Sequence, residues 1–110
     1  MAISHLAAGE PIDVLPFSSA LANARTAALF KTEQLEVIRL VLLAGKSLPP
    51  HKVAGETMIQ CLEGNLDVTA DGTCQPLKAN QLMYVAGDVV HSLTAIEDAS
   101  ALVTIVLPRK

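Results

Sequence analysis

The chain has 110 residues, enough for one domain with one hydrophobic core and too few for a catalytic domain plus a separate regulatory one. Residues of the AVILMFWYC set make up 51% of it, yet there are only one Tyr, two Phe and no Trp, so aliphatic side chains must fill that core. The formal charge is -3 and the eight Lys and Arg are scattered singly, which excludes a basic stripe that could neutralise a nucleic-acid backbone.

In chain order, residues 1–10 carry no sustained periodicity and read as a loose terminus holding a solvated His5. Residues 12–17 read as a short strand interrupted by Pro16, and Ser18 or Ser19 is placed to cap one helical turn through Ala24. An extended pattern resumes over 26–31. Residues 34–43 are rich in Val, Ile and Leu, with Glu36 and Arg39 set among them, and are expected to form a strand largely buried on both faces. Gly45 ends it. The run Gly45-Lys-Ser-Leu-Pro-Pro50 is turn chemistry, because two consecutive prolines cannot donate to a central ladder, so a loop is expected to lead into His51.

Residues 57–62 are strand-like, Glu63-Gly64-Asn65 supplies a turn, and Leu66, Val68 and Ala70 then alternate with Asp67 and Thr69. Asp71-Gly72 follows, a strong two-residue hairpin signal because both central positions of a type I′ turn need positive φ. Further strands are expected at 73–77, 81–85, 90–95 and 101–107, with a turn at Ile96-Glu-Asp98. Short strands at this spacing, with no long helix and no internal repeat, indicate a single all-β domain, an antiparallel sandwich or barrel of the jelly-roll kind. Apolar runs such as Leu40 to Ala44 fall far short of the ~18 residues that a membrane helix needs. Cys61 and Cys74 match no zinc or redox spacing and read as strand residues without chemistry, and with no charged-then-apolar leader a reducing cytoplasmic setting is expected.

Two segments carry a resemblance. Gly45, then five residues to His51, Val53 one further on, Thr57, and Gly64 closing the segment, keep a spacing in which Val53 and Thr57 replace a His and a Glu. A second segment, Asn80 to Ala95, places His91 in a His position, with Asn80, Ala86, Asp88 and Ala95 replacing Gly, Pro, Gly and Asn. In this the chain resembles the cupin family over roughly residues 35–107, and Cys61-Leu-Glu-Gly64 with His91-Ser-Leu-Thr-Ala-Ile-Glu-Asp98 reads like many small cupins. The resemblance implies a jelly-roll barrel, commonly a homodimer, whose pocket holds a divalent metal on three His and one Glu. Of that set His51 and His91 are present here.

Two imidazoles alone bind Zn, Fe, Ni or Mn weakly, since a catalytic site usually has three protein ligands. Glu56 neighbours Thr57 in a period-two strand and is expected on the opposite face, as is Gln60, while Cys61 lies roughly 13 Å along the strand at about 3.3 Å per residue. Three readings of the pair stay open: hydrogen-bonded residues with no ligand, an incomplete metal site, or polar anchors of a small-molecule pocket in which Thr57 supplies a hydroxyl and Val53 an apolar wall. Arg39 is a secondary pocket candidate that could hold a carboxylate, its alternative being a surface or interface position. Binding of a small organic molecule fits the reduced ligand set best; a metal-dependent dioxygenase or isomerase is the enzymatic alternative, and a structural role is third. His51 and His91 are expected to converge at the barrel mouth. Apolar residues on both faces of 57–62 call for cover by the N-terminal segment or by a second copy of the chain.

Overall fold

The computed structural model describes residues 6–108, so His5 lies outside the described residues. Among the described residues nine strands form, all but β3 close to where the sequence pattern expects them: β1 (Ala27–Lys31), β2 (Leu35–Leu42), β3 (Ser47–His51), β4 (Thr57–Glu63), β5 (Asn65–Ala70), β6 (Thr73–Lys78), β7 (Leu82–Val85), β8 (His91–Ala95) and β9 (Ala99–Val106). They build two antiparallel sheets, β1-β2-β9-β4-β7 and β3-β8-β5-β6. The chain changes sheet at every connection except β1–β2 and β5–β6, which is the jelly-roll path.

Alternation decides which side chains meet between the sheets. Leu40 and Leu42 of β2, Ile59 and Cys61 of β4, Leu66 and Val68 of β5, and Leu93 and Ala95 of β8 pack into one cluster that contains no aromatic ring. The aliphatic core demanded by the composition is what forms. Burying each of these larger side chains stabilises the fold by roughly 1.5–3 kcal/mol.

Turn chemistry fixes the registers. Asp71 and Gly72 have φ of 51° and 79°, a type I′ geometry that closes the β5–β6 hairpin on the Ala70–Thr73 pair. Gly64, between β4 and β5, has φ of 82°, and a Cβ there would lie 2.2 Å from the Asp98 carbonyl oxygen, so the position admits only glycine.

Three expectations are corrected. Pro49 and Pro50 lie inside a strand rather than a loop: β3 is an edge strand, and its register slips between the Leu48–Leu93 and His51–His91 pairs, so the missing N–H donors fall at a bulge on a free edge. Residues 6–10 are tied down rather than loose, with the Leu6 N–H on the Leu29 carbonyl (2.9 Å) and Glu10 closing a turn onto Ala7. Residues 12–17 form no strand. They run as a strap into a 3₁₀ turn over Ser18–Asn23, whose first N–H groups are satisfied from β4 by Glu63 rather than by a serine side chain.

Candidate functional site

The site lies where the apolar core gives way to polar side chains at one end of the barrel. His91 opens β8, and its alternation with Leu93 and Ala95 points it between the sheets, where it is 4% exposed. His51 closes β3 directly opposite, and the two ring centroids are 4.4 Å apart at an interplanar angle of 53°. The expected convergence is present, with His51 exposed at the rim and His91 buried beneath it. Each ring is oriented in the same way: His51 Nδ1 lies 3.1 Å from the Pro49 carbonyl oxygen and His91 Nδ1 lies 3.0 Å from that of Val89. A carbonyl can only accept, so each Nδ1 carries a proton, and the neutral form of either ring has Nε2 as its acceptor.

Thr57 opens β4 on the inner face, in line with Ile59 and Cys61, and is 3% exposed. Its Oγ1 is buried with no hydrogen-bond partner. Five-residue loops join His51 to Thr57 and Val85 to His91, and Thr57 pairs with Val85, so these side chains belong to the same end of the molecule. The two loops are fastened together by the Asp88 N–H on the Val53 carbonyl (2.8 Å). They also pack backbone on backbone, since a Cβ at Gly87 would lie 2.3 Å from the Ala54 carbonyl oxygen. Val53 is half-buried within the first of these loops.

No protein-family model and no curated protein matches the sequence. Solved structures do match the coordinates. A cupin superfamily protein from Desulfitobacterium hafniense superposes with a TM-score of 0.78 over 98% of this chain and 100% of its own, at 17% identity. The chain has the cupin fold. A conserved protein of unknown function from Streptococcus pyogenes superposes with a TM-score of 0.76 over the whole of both chains at 21% identity. Salicylate 1,2-dioxygenase from Pseudaminobacter salicylatoxidans matches 66% of this chain but 21% of its own length, with a TM-score of 0.64 and 23% identity.

The metal set implied by the cupin resemblance is not reproduced. Two Nε2 lone pairs are available, but Val53 has no donor atom and Thr57 offers a neutral hydroxyl. Among the described residues no group of three or more His, Cys, Asp and Glu side chains is placed to hold an ion. Glu56 lines a groove on the outer face of the first sheet with Met58 and Tyr84, as its parity predicts. Gln60 is exposed, and Cys61 is fully buried in the core, where burial pushes its thiol above the ordinary value. These residues do not fit a three-ligand catalytic centre.

Arg39 faces away from the barrel interior. It alternates with the core residue Leu40 and so faces outwards from β2, where its guanidinium lies 4.1 Å from the centroid of the Phe17 ring. Its Nη2 donates to the Leu15 carbonyl (2.7 Å) and to Ser100 Oγ (3.2 Å), and stands 3.7 Å from Glu63 Oε2. The carboxylate it holds is therefore an internal one. Glu63 also accepts the Phe17 and Ser18 N–H groups (2.9 and 3.0 Å) and the Ser100 hydroxyl.

In the sequence Glu63 reads as a turn residue, and strict alternation would aim it inwards with Cys61. A β-bulge between Cys61 and Glu63 turns it to the outer face opposite Ser100, a shift with no local sequence signal. Nor is the place of Glu36 among the sequence expectations. Glu36 shares the inner parity of Leu40 and Leu42 and pairs with Ile105, which in turn pairs with Thr57, so one inner row runs Glu36, Ile105, Thr57, Val85. Counting back from the core leucines would have found it.

Proposed function

We propose that this protein binds a small organic molecule at the barrel mouth, against His51, His91 and Thr57. The observation that carries the reading is the Thr57 hydroxyl, buried at the same end of the barrel as two oriented imidazoles and lacking any partner. An unsatisfied buried polar group costs about 1–3 kcal/mol, and a bound molecule that pairs with it recovers that cost. Val53 belongs to the same site as part of its apolar wall. The reduced donor set makes any divalent metal, Zn, Fe, Ni or Mn, a weakly held one.

A second reading is a metal-dependent dioxygenase or isomerase acting on a small molecule. The free Nε2 atoms of both histidines favour it, as does the likeness of fold to salicylate 1,2-dioxygenase. Elemental analysis after gentle purification separates the two. Substoichiometric metal in the natural protein, with metal retained by a variant combining Val53→His and Thr57→Glu, supports the organic-ligand pocket. Stoichiometric metal in the natural protein, lost in His51→Ala, overturns the organic-ligand reading in favour of a metal site.

Two wider features belong to the same proposal. Cys61 and Cys74 are both free thiols, which supports a reducing cytoplasmic location. The apolar outer face of the first sheet supports a homodimer, with no role for nucleic acid or a membrane; among the described residues no helix is long and apolar enough to cross one.

A further inference from the structure

The polar groups at the barrel mouth have one chemical character. His51 and His91, each with Nδ1–H spent on a backbone carbonyl, present Nε2 lone pairs. The inner row adds the Glu36 carboxylate, which accepts only, and the Thr57 hydroxyl, which can do either. At about 4.8 Å between neighbouring strands, Glu36 and Thr57 stand roughly 10 Å apart across Ile105.

Among the described residues the cations are exposed or engaged elsewhere, Lys52 being exposed in the loop that follows His51. Arg39 is engaged on the opposite face of β2 with Glu63. Lys31 is the register partner of Glu36 on the edge strand β1, but it is exposed, and among the described residues no ion pair joins the two. A carboxylate entering this mouth would meet two lone pairs and a like charge, with one hydroxyl to pair with it. A charged amine would find acceptors and a counter-charge.

We infer that the barrel mouth is selective for small cationic amines bearing a second hydrogen-bond donor, and that Glu36 sets this selectivity. The inference rests on the small-molecule reading and names the chemistry of its ligand. The amine end faces Glu36, and the second donor, an N–H or O–H, faces the imidazoles and Thr57. Ile105 supplies the apolar surface between.

Calorimetric titration of the full chain at mildly alkaline pH, with chelator present, tests this with four probes of equal length: 1,4-diaminobutane, 4-aminobutan-1-ol, butane-1,4-diol and succinate. The two amines are expected to bind, the diol more weakly, and succinate not at all. Glu36→Gln should weaken the amines by about tenfold or more, the loss of one charge-assisted hydrogen bond, and leave the diol unchanged. Succinate binding as tightly as the amines overturns the inference and leaves the pocket reading standing, as does amine binding that Glu36→Gln does not alter. Failure of all four to bind at millimolar concentration overturns both.

Discussion

Thr57 is a residue whose local cost predicts its use. Its hydroxyl occupies a position where a methyl group would pack equally well, so Thr57→Val should stabilise the ligand-free protein by about 1 kcal/mol in urea unfolding while weakening ligand binding. A residue with a purely structural role would not show both effects. Glu63 is the opposite case, a half-buried carboxylate fully provided for. Burial alone would raise its carboxyl, but the Ser100 hydroxyl, the Phe17 and Ser18 N–H groups and the Arg39 guanidinium outweigh that and hold it below the usual value. The stability it contributes is therefore complete above the ordinary carboxyl range and is lost as pH falls through its lowered value in the fold. Glu63→Gln is expected to cost about 2–3 kcal/mol at neutral pH and to flatten the acid limb of the stability profile. An acid limb as steep as that of the natural protein would show that other carboxyls carry the effect.

At the scale of elements, the loops 52–56 and 86–90 act as a pair because nothing larger than hydrogen fits at Gly87. Gly87→Ala should push the loops apart, lower stability by about 1–3 kcal/mol and disturb His91, and the change is measurable as a shift of the His91 ring signals in NMR spectra. How far elements were legible depended on what pairs them. Strands β4 to β9 came from period two and from Asp71-Gly72, because their partners are local or their faces unambiguous. In the sequence Pro49-Pro50 reads as a loop because proline cannot donate, a rule that an edge strand with a bulge escapes. Residues 12–17 have strand-like apolar alternation, but their backbone is held by Arg39 and Glu63 side chains from strands far along the chain. The histidine pair was legible from spacing, whereas Glu36 and Glu63 needed face and register, which one bulge reverses.

At the scale of the whole molecule, the first sheet presents Met58, Leu82, Tyr84 and Val106 to solvent at 43–69% exposure, beyond the reach of the strap. Such a face is expected to pair two copies of the chain, so light scattering at micromolar concentration should return twice the 11.6 kDa chain mass, and Leu82→Lys combined with Tyr84→Lys should return one. A monomer mass for the natural protein would rule the pairing out. The strap itself has a consequence for the order in which the molecule assembles. Glu63 reaches Phe17 across 46 residues of sequence, and it faces outwards only once β4 has bulged against β9. The strap is therefore expected to dock only after the barrel has formed. Phe17→Ala should accelerate unfolding and leave the refolding rate nearly unchanged, with a φ-value close to zero, because the barrel closes before the strap has anything to hold.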